Sequence, residues 1–168
     1  MNEQEYQDFI TFEPEPVRVI QDEEQITYME DSSIEPVIIL LRDGHFTMKE
    51  IESRYNEMVD KADHKSDMSI YRYVKKLEEY NLVVQSGQRV VIGKTATETL
   101  YSRTAKVFYP VIKSEAYWNT REMREIIEIL RILIGFYTKK EKPSKECVKA
   151  MLSNIEANAV LELNSLLE

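Results

Sequence analysis

The chain has 168 residues, 22 Lys and Arg against 30 Asp and Glu, and a net charge of −8. Hydrophobic residues make up 43%, with four Gly and five Pro, which excludes a wholly disordered or collagen-like chain and leaves enough apolar surface for a core. The single cysteine, Cys147, excludes an intrachain disulfide and points to a reducing, cytoplasmic compartment. Residues 1–5 carry neither the basic nor the apolar region of a secretory signal. The longest apolar stretch, 126–137, is interrupted by Glu128 and Arg131 and is too short for a bilayer, so no membrane partner is expected.

The acidity is uneven. Residues 1–32 hold one basic and ten acidic residues, residues 33–113 hold 13 and 11, and residues 114–168 hold eight and nine. The first segment carries the negative charge, and the middle is slightly basic. Attraction to phosphate depends on the local field, so an acidic total does not exclude a nucleic-acid surface in the middle.

In chain order, Glu13-Pro14-Glu15-Pro16 cannot be helical and reads as part of an acidic N-terminal tail over 1–21. Asp22 caps a short helix, Glu23 to Met29. Ser33 caps a second, with Pro36 in its first turn, and Val37 to Leu41 forms an apolar run ended by Gly44. Thr47 and Glu50 form a capping box for a third helix, with Ile51, Tyr55 and Met58 at helical spacing. Residues 60–67 are polar and break the pattern. A fourth helix follows from about Ser69, with Ile70, Val74 and Leu77 on one face. Asn81 stops it in the left-handed conformation. Leu82 to Val84, a turn at Gln85–Gln88 and Arg89 to Ile92 predict a β-hairpin. The segment 100–111 packs back on the domain.

Two helices follow. Asn119 with Glu122 predicts a capping box for a helix of about 120–140. Its apolar residues fall in two stripes: Met123, Ile126, Ile127, Leu130, Leu133, Ile134 and Tyr137 in one, Ile129, Ile132 and Phe136 beside it. A helix with one buried side has no use for the second stripe. The helix is therefore either enclosed or shared with a second subunit, and Ile126, Ile129, Leu130, Ile132, Leu133 and Phe136 are the candidate dimerisation residues. Pro143-Ser144 starts the last helix, with a single stripe from Val148 to Leu163.

The expected fold class is mainly α with a small β-hairpin: a winged helix-turn-helix over 22–113, then C-terminal dimerisation helices over 114–168. Such a layout places the helix 69–80 in the major groove and the hairpin, about 82–98, along the backbone or in the minor groove. Arg72 has the geometry to pair a guanine bidentately. Lys65, Lys75 and Lys76 suit phosphate, Ser69 and Tyr71 can hydrogen-bond, and the helix start at Thr47 faces phosphate. On the hairpin, Arg89 and Lys94 complete the candidate DNA contacts. An amphipathic surface helix with Arg and Lys outside has the same appearance, and the downstream basic hairpin tips the balance toward DNA.

Two segments sharpen this reading. Residues 69–84, from Ser-Ile-Tyr-Arg-Tyr-Val-Lys-Lys-Leu-Glu-Glu to Leu-Val-Val, and 98–108, Glu-Thr-Leu-Tyr-Ser-Arg-Thr-Ala-Lys-Val-Phe, resemble archaeal ArsR-type winged-helix transcriptional regulators. The likeness extends more loosely over 19–113. It implies a cytoplasmic, homodimeric regulator that contacts double-stranded DNA through Ser69, Tyr71, Arg72 and Lys75, with Arg89 and Lys94 on the wing. Two departures stand out. The polar segment before the recognition helix is long, and the cysteine pair or paired His and Asp ligands of metal-sensing members are absent. His45, His64 and Cys147 are scattered, so no metal and no cofactor is expected. The triplet Arg103-Thr104-Ala105 reads as structural, where the chain turns back on the domain.

A competing reading is a protein-interaction module that uses the acidic segment or the C-terminal helices rather than DNA. An enzyme is not expected. The sequence has no nucleophile-elbow, zinc-protease or phosphate-loop motif, and paired carboxylates such as Glu23-Glu24 and Glu78-Glu79 fall on solvated helix faces.

Overall fold

The computed structural model describes residues 6–93 and 96–167. Among these the chain forms six strands and seven α-helices and divides into two compact units. One unit holds the described residues through Arg18 together with Glu24–Val107. The other holds Val19–Glu23 and the chain from Phe108 onward.

Helices α1 (Glu23–Met29), α2 (Glu35–Leu40), α3 (Met48–Met58) and α4 (Asp67–Glu79) precede the main hairpin. Ser33 does not cap α2. Its N–H donates to the Asp31 carboxylate at 2.8 Å, and the helix begins behind Ile34 with Pro36 in its first turn. The capping box of α3 forms as expected: Glu50 donates its N–H to Thr47 Oγ1 at 3.3 Å, and its carboxylate accepts from the Thr47 N–H at 2.8 Å. The polar segment after α3 folds into a short 3-10 turn, Lys61–Asp63. Asn56 pins the next residues by accepting the Lys65 N–H (2.8 Å) and donating to its carbonyl (3.0 Å). Ser66 then caps α4, two residues earlier than the apolar spacing indicates. Ile70, Val74 and Leu77 are fully buried against α3 and the sheet, as their periodicity requires. Asn81 ends the helix at φ 56°.

The strands are β1 (Tyr6–Ile10), β2 (Glu15–Ile20), β3 (Phe46–Thr47), β4 (Val83–Val91), β5 (Thr97–Arg103) and β6 (Ala105–Pro110). An antiparallel four-stranded sheet runs in the order β1-β4-β5-β3, and β2 pairs with β6 in a two-stranded parallel sheet. This overturns the expectation of a mainly α chain with a small hairpin. The fold is α+β, and its strands outnumber those of a small wing. The acidic segment expected as a tail supplies β1, with Tyr6 opposite Val91 and Ile10 opposite Gly87.

The hairpin turn also lies elsewhere. Gln85–Gln88 runs within β4, and Ser86 is the extra residue of a bulge, since Gln85 pairs with Tyr101 and Gly87 with Leu100. The Ser86 carbonyl accepts from the N–H groups of Thr11 (2.8 Å) and Phe12 (3.2 Å), and its hydroxyl lies 2.7 Å from His45 Nδ1. Gly87 serves close approach, not a turn: a Cβ there would sit 2.2 Å from the Phe9 carbonyl oxygen of β1. β4 runs on to Val91 and β5 begins at Thr97, and Gly93, just past the end of β4, takes φ 83°. Past the hairpin, Thr104 is buried, with its hydroxyl donating to the carbonyls of Asn81 and Leu82. Arg103 beside it is buried too, and burial, aided by Arg42 and opposed by Asp43, lowers its pKa to about 10.

In the second unit, α5 (Glu115–Trp118), α6 (Arg121–Thr138) and α7 (Lys145–Leu167) pack around Trp118, Ile127 and Val148. Thr120, not Asn119, caps α6, accepting from the Met123 N–H at 3.4 Å. Lys139 at φ 54° follows its end. Glu156 of α7 accepts hydrogen bonds from Tyr109 (2.7 Å) and Tyr117 (2.9 Å), with Lys113 Nζ 3.7 Å away. No helix among the described residues is long and apolar enough to cross a membrane.

Candidate nucleic-acid interface

α4 is held from behind by three buried aliphatic side chains, and this decides which residues it presents outward. Met68, Tyr71, Arg72 and Lys75 recur at helical spacing along the opposite side. Met68 is 58% and Tyr71 46% exposed. Arg72 is exposed and makes no ion pair with a described residue. Lys75 pairs with Glu78 at 2.7 Å, and Lys76 pairs with Glu79 at 3.0 Å. Hydrogen bonding to those carboxylates raises both lysine pKa values, so both remain charged. The Lys75 ammonium also lies 5.7 Å from the ring centroids of Tyr71 and Tyr101.

With Asp67 at its start, α4 carries three basic and three acidic residues. Its face is therefore neutral in sum, with the cations in the middle and at the C-terminal half. The Lys76–Glu79 pair is exposed, whereas Lys75 and Glu78 keep only 33% and 25% of their side-chain exposure, so phosphate displaces the Glu79 carboxylate more readily than that of Glu78.

The start of α3 and the beginning of β5 adjoin this helix. Thr47, Met48, Lys49, Tyr71, Glu98, Thr99 and Tyr101 line one open hollow of about 250 Å³. Met48, Asp67, Met68 and Tyr71 line a second of about 270 Å³. Lys49 points outward with 86% of its side chain exposed and Glu98 3.7 Å away. Met48, Lys49 and Met68 were not among the residues expected here. The capping box gives the signal for the first two, because it puts 48 and 49 in the first turn, just past the cap.

The other expected contacts are placed differently. Thr47 is buried, and both its hydroxyl and its N–H are engaged with Glu50, so it presents no group to phosphate. Lys65 and Ser69 are half-buried. Ser69 supports the cap of α4, its N–H 3.4 Å and its hydroxyl 3.2 Å from Ser66 Oγ. Lys94 lies outside the described residues.

Arg89 is the largest correction. It is 8% exposed. Its guanidinium donates to both oxygens of Asp8 in β1, at 2.7 and 2.9 Å, and to Glu50 of α3 at 2.7 Å. The Tyr6 ring centroid lies 3.9 Å from its Cζ. The hydrogen bond from Arg89 holds the Asp8 carboxyl below its ordinary value against the effect of burial. At Glu50, burial pushes upward but is outweighed by the Thr47 N–H and by Arg89. Arg89 is thus a latch between β1, β4 and the cap of α3. Its charge faces two carboxylates, and the sequence alone does not disclose that β1 lies alongside.

On α6, Ile127 is buried, and Met123, Leu130 and Ile134 pack against the core of the second unit. Leu130, expected at a subunit contact, thus belongs to the internal side. Ile126, Ile129, Ile132, Leu133 and Phe136 are exposed, from 42% at Ile126 to 75% at Phe136. Among the described residues no group of three or more His, Cys, Asp or Glu side chains is arranged to hold a metal ion.

No protein-family model and no curated protein matches this sequence. Among solved structures, the chain is similar to diamide-treated YodB from B. subtilis, at 16% identity over 72% of this chain and 93% of that one. The TM-score is 0.36, too low to establish a shared fold.

Proposed function

We propose that this protein is a sequence-specific, duplex-DNA-binding transcriptional regulator that works in the cytoplasm as a homodimer. α4 enters the major groove, and the β4–β5 hairpin steadies the duplex from the side. The observation that carries this reading is Arg72: an exposed guanidinium without an ion-pair partner among the described residues, on a helix whose other side is fixed by Ile70, Val74 and Leu77. A rigidly mounted Arg can donate bidentately to guanine O6 and N7. Lys75, Lys76 and Lys49 supply the phosphate contacts that set register. The exposed apolar side of α6 supports pairing with a second copy, which would present two copies of α4 to half-sites about 34 Å apart or a multiple of that.

The test is fluorescence anisotropy on duplexes selected from a random pool, between 50 and 200 mM salt. Arg72→Ala is expected to weaken binding by about 1–3 kcal/mol and to relax preference at one base pair. Lys75→Ala is expected to weaken all sequences alike and to reduce the salt slope by about one. Wild-type protein that binds selected and random duplexes equally would refute sequence-specific recognition.

A further inference from the structure

The outward side of α4 is not uniformly polar. Its N-terminal half presents Met68 and Tyr71, and Met48 from the start of α3 joins them around one open hollow of about 270 Å³. Arg72 follows within the same turn, and Lys75 one turn further on. Residues 68 to 75 span seven steps, roughly 10 Å at 1.5 Å per residue, or about three base pairs at 3.4 Å each. The Met68 thioether is only a weak acceptor and supplies no hydrogen-bond pattern specific to one base, and the Tyr71 ring adds apolar edge beneath its hydroxyl. In the major groove the apolar group that such side chains can distinguish is the C5-methyl of thymine. Arg72 and Lys75 in the same stripe attract an anionic partner to that surface, against the single carboxylate of Asp67, which also lines the hollow.

We infer that the sequence recognised by α4 contains thymine beside the guanine read by Arg72, and that Met68 and Tyr71 select it through its methyl group. The inference rests on the DNA-binding reading above and adds the identity of a base. A methyl packed against Met68 is worth about a three- to fivefold preference. The experiment replaces each thymine of the selected duplex, one at a time, by uracil, which removes only the methyl. Wild-type protein is expected to lose three- to fivefold at one or two positions. Met68→Ala, whose side chain is mostly solvent-exposed, is expected to bind the thymine and uracil duplexes equally at one of them.

Uracil tolerated at every position by the wild type, with guanine preference intact, overturns the methyl reading and leaves DNA recognition standing. Met68→Ala retaining the full uracil penalty at every such position also overturns it. Absence of any enriched sequence overturns both.

Discussion

Replacing Arg89 by methionine separates a latch from a phosphate contact. The substitution keeps much of the aliphatic stem but leaves Asp8 and Glu50 facing each other without their cation. Removing one partner of a fully buried pair costs about 3–5 kcal/mol. Here the two carboxylate side chains keep 28% and 31% of their exposure, so water recovers part of the loss, and about 2–3 kcal/mol is the expected deficit. In a unit of roughly 100 residues this lowers Tm by about 10–20 °C.

The deficit also depends on pH. Both carboxyls titrate below their ordinary values in the folded chain. Their contribution is therefore complete above the unfolded pKa, about 4, and fades as pH falls through the lower folded values. The gap between wild type and Arg89→Met closes on acidification below about pH 4. Urea unfolding followed by circular dichroism measures the difference, and amide exchange in β4 locates it. Lys76→Met, which opens the exposed pair with Glu79, is the control and is expected to leave stability close to that of wild type. A variant within about 0.5 kcal/mol of wild type, the usual scatter of surface substitutions, that binds DNA more weakly would show Arg89 free for phosphate and refute the latch.

Other outcomes follow from the same geometry. Gly87→Ala forces a Cβ into the Phe9 carbonyl, so β1 should detach and limited proteolysis should cut within 6–14 much faster than in wild type. Tyr109 has its pKa pushed up to about 12 by burial and by Glu156. The stability it lends is full below the ordinary value of about 10 and is lost as pH rises toward 12. Trp118, the chain's single tryptophan, sits in that unit's core, so its fluorescence should report loosening there above pH 10. Glu156→Gln should lower the Tyr109 titration seen by absorbance. Phe136→Glu, at a position 75% exposed, should leave the fold intact and convert a dimer to a monomer in sedimentation at micromolar concentration. Unchanged mass would dismiss α6 as the contact.

The helices were legible because their signals are local. Glu23–Met29 matched its predicted span, the Thr47 and Glu50 box formed, and Ile70, Val74 and Leu77 were fully buried where their spacing put them. The sheet was not legible, because strand pairing is a long-range property. Residues 6–10 read as extended in either case, and nothing within them reveals that β4, some eighty residues on, completes their hydrogen bonds. Gln-Ser-Gly-Gln carries a turn's composition, yet its glycine answers to a backbone crossing over it. The site was legible to the same degree. Arg72 could be placed from its own helix, but Arg89 could not, since its partners lie on two other elements. The first stripe expected on α6 divides: Met123, Ile127, Leu130 and Ile134 face the core, whereas Ile126, Leu133 and Tyr137 are exposed beside Ile129, Ile132 and Phe136.

The distance along the chain between β1 and β4 has a consequence for synthesis. A ribosome delivers Tyr6, Phe9 and Ile10 long before the strand that receives them, and Arg89 cannot meet Asp8 until 81 further residues have been joined. During that interval a short apolar ribbon with open amide and carbonyl groups hangs from the nascent polypeptide, an invitation to neighbouring ribbons. Its charges at Glu3, Glu5 and Asp8 act as a deterrent through mutual repulsion between copies. The acidity that looked like a message to a partner thus also protects the chain while it is being made.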